Sequence, residues 1–135
     1  MAAMAWTENL TLGLGPMDQT HVEFVDAYNR LLSLSGAELL AAMDDFIVHT
    51  VEHFDQENRW MELIGFPGCH KAEHDRVLAV CRDVRKRMER GDTALGRQLI
   101  QELPVWFDNH VATMDAALAS YIQSIGFDTE TGEIR

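Results

Sequence analysis

Two neighbouring segments of the sequence carry candidate metal ligands at helical spacing. His53 and Glu57 are four residues apart, and so are His70 and His74. Residues four apart in an α-helix project from the same face, so each pair can present its side chains to one metal ion. Three further candidates lie elsewhere in the chain: His21, His110 and Asp115. Seven donors exceed the needs of one tetrahedral zinc ion, and this mixture suits two octahedral metal ions that share bridging groups.

Apolar residues recur at three- and four-residue steps in four segments of the chain, and each of these stripes includes candidate ligands. We expect helices over about residues 18–34, 37–64, 70–90 and 93–125. Glycine and proline interrupt the periodicity between them, which indicates short connections. Four helices with short loops predict an all-α fold, an up-down-up-down antiparallel four-helix bundle.

Three local features refine this expectation. Residues 1–16 are expected to form an extended arm, in which Trp6 packs against the bundle and Gly15 and Pro16 exclude a regular helix. Asp18 is the expected N-cap of the first helix. Pro104 lies inside the fourth segment, so we expect a kink or a restart there. The buried side of that segment is expected to consist of Leu99, Leu103, Trp106, His110, Met114 and Tyr121.

Composition limits the possible partners and the compartment. A formal net charge of −11 repels nucleic acid and anionic membranes. No stretch approaches the roughly 18 apolar residues of a membrane span, and the N-terminus lacks the features of a signal peptide. Two cysteines, Cys69 and Cys81, do not make a disulfide scaffold in a chain of 135 residues. We therefore expect a single-domain, reduced, cytoplasmic protein, and a monomer.

Seven ionisable groups on inward-facing stripes would be costly to bury in isolation. Burying one polar group without a partner costs a few kcal/mol, whereas a domain of this size is stable by only about 5–15 kcal/mol. The groups therefore either point to solvent or share a partner, and a metal pair would satisfy them all. His110 and Asp115 do not share one α-helical face, because five residues correspond to about 140° around the helix.

Two other metal motifs do not fit the sequence. The zinc-protease motif requires Glu directly after the first histidine, where this chain has Lys71. Di-iron carboxylate bundles use four carboxylates and repeated Glu-x-x-His motifs, neither of which this sequence has. Imidazoles are neutral and stabilise oxidised iron less than carboxylates do. A histidine-rich iron pair therefore suits reversible dioxygen binding better than cleavage of an O–O bond.

Taken in order, the motifs resemble those of the hemerythrin family and of its single-domain bacterial members, the bacteriohemerythrins. The family pattern joins an N-terminal Trp arm to Asp-Gln-x-His, His-Phe-x-x-Glu, His-x-x-x-His and His-x-x-x-x-Asp. The matching parts of this sequence are Trp6, Asp18–His21, His53–Glu57, His70–His74 and His110–Asp115. The resemblance covers nearly the whole chain and implies a di-iron protein that binds dioxygen.

The resemblance also implies a role for each candidate ligand. One iron ion has three histidines: His70, His74 and His110. The other has two: His21 and His53. Two carboxylates bridge both ions, together with an oxo or hydroxo group: Glu57 and Asp115. Dioxygen binds at the iron ion with two histidines, in an apolar pocket whose expected lining is Trp106, Phe107, Phe54 and Trp60.

Oxygen storage or delivery to an oxygen-using enzyme is the leading function, with no catalytic residues. An oxygen- or iron-responsive sensor, and a protective reaction with peroxide or nitric oxide, remain open. Asn58 stands where the family often has a second Glu, and we expect no loss of metal from it. His49 is a surface residue or part of a proton relay, and Cys69 is not a ligand. The short segment from Pro67 to His70 predicts an abrupt start of the third helix.

Overall fold

The regular structure is helical throughout the part of the chain that the computed structural model describes, residues 12–134. The elements are α1 (Gly15–Leu32), α2 (Gly36–Ile64), α3 (Cys69–Glu89), α4 (Thr93–His110), a π-helical turn (Val111–Asp115) and α5 (Ala116–Ile125). The last three are continuous, because the backbone stays right-handed helical at both junctions. Each helix packs against the next along the chain. The predicted all-α, four-helix bundle is confirmed.

Helix α1 begins earlier than the sequence predicted. Gly15 and Pro16 lie in its first turn, so the expectation that they exclude a regular helix is wrong. The first turn of a helix tolerates proline because its N–H groups have no intrahelical partner. Asp18 does not cap the helix; its carboxylate accepts a hydrogen bond from the Leu12 N–H at 2.7 Å. The predicted packing of Trp6 lies outside the described residues.

Helix α4 runs through Pro104 without the expected restart. Proline has no N–H, so the carbonyl of Ile100, four residues earlier, lacks its helical donor. The Tyr28 hydroxyl of α1 donates a hydrogen bond to this carbonyl at 2.6 Å. Tyr28 and Ile100 are both buried. A side chain from another helix therefore supplies the donor that the proline removes.

The irregularity of the fourth helix lies further on, in the π-helical turn. The Ala116 N–H reaches the Val111 carbonyl, five residues back, so the turn holds one residue more than an α-helical turn. After it, the inward positions are Leu118 and Ile122, both fully buried. Tyr121, which α-helical spacing predicted to be buried, is 41% exposed. That prediction is wrong because the extra residue shifts the register of everything that follows.

Within residues 12–134, the core consists of two apolar clusters with a polar layer between them. Along α1 the order is Met17 of the smaller cluster, His21, and then Phe24 of the larger one. Along α2 it reverses, from Phe46 through the ligand candidates to Met61. This alternation follows from the antiparallel arrangement of the helices. The candidate ligands therefore lie in one layer across the bundle.

The contact between Tyr28 and the helix at Pro104 can be tested by a double-mutant cycle. Tyr28→Phe leaves the buried Ile100 carbonyl without a donor, and we expect a loss of about 1–3 kcal/mol in the free energy of unfolding. In a Pro104→Ala background the new backbone N–H satisfies that carbonyl, so the same change should destabilise less. Denaturant unfolding of the metal-free protein measures both. Tyr121→Phe at the exposed tyrosine is the control, and an equal loss in both backgrounds would contradict the account.

Candidate metal centre

All seven predicted ligands come together in the middle of the bundle. None of their side chains is more than 4% exposed. Each bundle helix contributes at least one of them: His21 from α1, His53 and Glu57 from α2, His70 and His74 from α3, and His110 and Asp115 from the last helix. The alternative that these groups point to solvent is therefore excluded.

Three histidines converge on one side of the layer. The Nε2 atoms of His70 and His74 each lie 3.2 Å from Nε2 of His110. Glu57 Oε1 lies 3.2 Å from Nε2 of His74 and 3.4 Å from that of His70. Asp115 Oδ1 lies 3.0 Å from His70 Nε2 and 3.1 Å from His110 Nε2. Five donor atoms thus point to one small volume.

The second carboxylate oxygens face the other two histidines. Glu57 Oε2 lies 2.9 Å from Nε2 of His53, and Asp115 Oδ2 lies 3.0 Å from Nε2 of His21. The rings of His21 and His53 are neighbours, with centroids 5.4 Å apart. Each carboxylate therefore has one oxygen in the cluster of three histidines and one in the cluster of two.

The π-helical turn explains how Asp115 reaches this position. The expected separation of about 140° from His110 holds for an α-helix. Because 111–115 is a π turn, residues five apart lie on one face. The expectation that the two side chains diverge is therefore wrong. π-turns of this kind are frequent at functional sites, and here the turn aims both side chains into the layer.

The donor set fits metal ions better than it fits hydrogen bonding alone. Glu57 Oε1 and Asp115 Oδ1 are buried and have no hydrogen-bond partner among residues 12–134, although histidine nitrogens lie nearby. A buried carboxylate oxygen without a partner is destabilising. A cation between these oxygens and the converging Nε2 atoms would satisfy all of them. Mixed imidazole and carboxylate donors suit iron, manganese or zinc.

Without metal, the histidines themselves compensate the buried carboxylates. Burial and the neighbouring Asp115 raise the pKa of Glu57, but His53 and His70 outweigh them and lower it to about 2. Burial lowers the pKa of His70, but Asp115 and Glu57 outweigh it and raise that pKa to about 9. Burial lowers the pKa of His74. In the metal-free protein the proton on His70 takes the place of a cation.

Aromatic rings enclose both sides of the layer. Phe107 meets the His21 ring edge-on at 5.6 Å and stacks on Phe24 at 4.0 Å. Phe24 in turn lies 6.4 Å from the His53 ring. The sequence analysis missed Phe24, although it follows His21 by three residues on the same stripe. Phe24 and Phe107 thus border the cluster of two histidines.

Phe54 borders both clusters, because its ring stacks on His74 at 3.9 Å and lies 5.5 Å from the His53 ring. Trp106 stacks on His110 at 4.7 Å, on the side with three histidines. Trp60 belongs to the smaller apolar cluster, with Met17 and Leu118.

Polar residues just outside the layer were not predicted. Asn58 Oδ1 lies 2.9 Å from His74 Nδ1. The Trp106 indole N–H donates to Glu73 at 2.6 Å. Arg76 pairs with Glu73, and the guanidinium and the indole together lower the pKa of the Glu73 carboxyl to about 2. Sequence spacing carries no signal for the contacts of Asn58 with His74 and of Trp106 with Glu73, because they join different helices. Arg76 and Glu73 lie three residues apart within α3.

Two residues that the sequence left open lie away from the layer. His49 is exposed, in a groove between α1 and α2. Cys69 is a free, exposed cysteine at the first position of α3.

A four-helix bundle with a buried layer of five imidazoles and two carboxylates defines a histidine-rich metal-binding protein. The chain belongs to the hemerythrin family: residues 13–122 match the family model described as the hemerythrin HHE cation binding domain. The resemblance predicted from the motifs is thereby confirmed. Membership places the chain among binding proteins rather than enzymes. Each helix that the structure describes, over residues 12–134, is too short or too polar to span a membrane.

Similar proteins agree with this assignment along nearly their whole length. The chain is 45% identical to a bacteriohemerythrin of Ralstonia nicotianae over 130 residues, which cover 95% of each protein. It is 29% identical to a bacteriohemerythrin of Methylococcus capsulatus, over 85% of this chain and 93% of the relative. A crystal structure of a hemerythrin with a leucine-to-tyrosine substitution superposes with a TM-score of 0.80 at 28% identity, covering 89% of this chain and 97% of that one.

The proton on His70 predicts how stability depends on pH. Because the folded-state pKa is raised to about 9, protonation stabilises the metal-free fold fully below about pH 6.5, and this contribution is lost as the pH rises through 9. Metal must displace that proton, so metal-loaded protein should not show the loss. Thermal unfolding between pH 6 and 9.5, with and without metal, measures the difference. His49→Gln is the control, and identical pH profiles for the two forms would contradict the prediction.

Proposed function

We propose that this protein binds dioxygen reversibly at a histidine-rich, non-haem pair of iron ions, and that it stores or delivers oxygen in the cell. Membership of the hemerythrin family supports the proposal. The observation that carries it is the placement of Glu57 and Asp115, each with one oxygen in either histidine cluster. Carboxylates in that position are suited to bridge two metal ions.

The ligand roles follow from the two clusters. We assign the first iron ion to His70, His74 and His110. We assign the second to His21 and His53. Glu57 and Asp115 would bridge both ions, alongside an oxo or hydroxo group from solvent. The nearest-neighbour distances support this division, because the Nε2 atoms of each cluster face different carboxylate oxygens.

The unequal clusters leave room for a ligand at one ion only. The first cluster offers five protein donors and the second offers four, counting both carboxylates in each. With one solvent-derived ligand shared between the ions, the first cluster would hold its ion with a full octahedral set of donors, whereas the second cluster would supply one donor fewer. When bound, the iron pair would supply the electrons and the coordination position that dioxygen requires.

The surroundings of the second ion suit binding rather than turnover. Phe24 and Phe107 border His21 and His53, so the open position would face an apolar wall that excludes water. We assign these two rings to the dioxygen pocket. Phe54, which stacks on His74 and lies 5.5 Å from the His53 ring, would border both clusters. Trp106, which stacks on His110, would hold that ligand in place. A ligand set of five neutral imidazoles and two carboxylates would favour the reduced metal pair over the oxidised one. It would therefore suit binding of dioxygen better than cleavage of the O–O bond.

The remaining expectations belong to the same proposal. Residues 1–135 form one domain, and the residues that precede α1 form its arm. The protein acts as a cytoplasmic monomer that passes oxygen to an oxygen-using enzyme. The net charge of −11 keeps it from nucleic acid and from anionic lipid. The two cysteines are both free, as a reducing compartment requires.

The optical spectrum of reduced protein before and after exposure to air, together with an iron count, tests the proposed function. We expect two iron ions per chain and a visible charge-transfer band that appears in air and disappears under argon. Two iron ions with immediate, irreversible oxidation would overturn reversible binding in favour of a protective or sensing reaction. Absence of iron after expression in iron-rich medium would overturn the di-iron assignment itself.

Removing either proposed bridge should release metal. Glu57→Ala or Asp115→Ala takes away a donor that both clusters share, so we expect at least one iron ion per chain to be lost. Exposed carboxylates on the same helices provide matched controls, Glu52→Ala and Asp108→Ala, which should retain two. Iron analysis after desalting, with circular dichroism to verify folding, gives the answer. Retention of both iron ions by either bridge variant would refute the bridging assignment.

A further inference from the structure

His74 is held at its outer nitrogen by a side chain that the ligand set does not include. Its Nδ1 lies 2.9 Å from the amide oxygen of Asn58. The Nδ1 atoms of His53, His70 and His110 are buried and have no hydrogen-bond partner within residues 12–134. Asn58 therefore makes a contact that these three candidate ligands lack.

The contact fixes both the orientation and the tautomer of the ring. Phe54 lies parallel to the His74 ring, at 3.9 Å and 3°, and sets its plane. Asn58 sets the rotation within that plane. A neutral imidazole offers the Nε2 lone pair only when its proton is on Nδ1, and an amide oxygen can only accept that proton in a hydrogen bond. His74 Nε2 accordingly points into the cluster, 3.2 Å from Glu57 Oε1.

The neutral charge of the amide has an electronic consequence. A carboxylate at this position would make a charge-assisted hydrogen bond and raise the basicity of the imidazole. A more basic imidazole donates more strongly and stabilises oxidised metal. We propose that Asn58 is a positioning residue that selects the ligating tautomer of His74 and, because it is neutral, keeps the metal pair easier to reduce than an acidic residue would. The redox part of this inference rests on the proposed function, whereas the tautomer part does not.

The surroundings of Asn58 allow it to be varied. Its side chain is half-buried and lines an open groove of about 680 Å³ between the end of α2 and the start of α3. Arg59 and Lys71 also line this groove, together with acidic Asp55 and Glu62. A carboxylate at position 58 would thus reach solvent and nearby cations. Asn58→Asp is therefore expected to fold.

Nuclear magnetic resonance of the metal-free protein tests the tautomer directly. Long-range proton–nitrogen correlation spectra should show the His74 proton on Nδ1 in the wild type. In Asn58→Leu it should move towards Nε2, where Glu57 can accept it. Asn109→Leu, at an exposed amide beside His110, is the matched control and should leave His74 unchanged. A wild-type proton on Nε2, or no change in Asn58→Leu, would overturn the inference.

Two measurements on metal-loaded protein test how Asn58 affects metal retention and the reduction potential. Asn58→Leu should weaken Co²⁺ retention against a chelator by about 10- to 100-fold. Asn58→Asp should retain two iron ions. At a fixed potential, its ratio of oxidised to reduced protein should rise at least tenfold, which corresponds to a reduction potential lower by about 30 mV for a two-electron couple. An unchanged potential in an Asn58→Asp variant with full iron would overturn the redox part. A wild type without iron would refute the proposed function, and the tautomer measurement would still decide the role of Asn58.

Discussion

The structure depends on how two buried carboxylates are compensated. Glu57 and Asp115 are fully buried in the centre of the bundle, where an unpaired charge would cost several kcal/mol. A domain of this size has only about 5–15 kcal/mol of stability in total. Five imidazoles surround the two groups, and the proton on His70 balances part of their charge. Every bundle helix must therefore bring a polar side chain to this layer, which fixes how the helices are placed along their axes.

Much of this arrangement follows from local patterns in the sequence. The spacing of His53 with Glu57, and of His70 with His74, predicted two shared helical faces because helical periodicity is a local property. The apolar stripes predicted the bundle, and the motif order predicted the family; both are confirmed. The seven predicted ligands do meet in the structure, and their binding of iron stays a prediction.

The errors arise where tertiary structure overrides local preference. The residues between His110 and Asp115 carry no sequence signal for a π turn. The turn brings both side chains into the ligand layer, and that requirement comes from the other helices of the bundle. The exposure of Tyr121 follows from it. A kink or a restart was expected at Pro104, but the helix does not restart there, and Tyr28 from another helix replaces the missing donor. Asn58 escaped prediction as a partner of His74 for the same reason, since the contact joins α2 to α3.

Neutral groups separate the three-histidine cluster from further negative charge. The amide oxygen of Asn58 contacts Nδ1 of His74, the ring nitrogen that points away from the cluster. Behind His110 stands the Trp106 ring, whose indole N–H bonds the Glu73 carboxylate, and Arg76 balances that carboxylate. An anion in direct contact with either imidazole would make it a stronger donor and favour oxidised metal. Because the two shared carboxylates are the anions in direct contact with these imidazoles, the arrangement would favour the reduced metal pair that the proposed reversible binding of dioxygen requires.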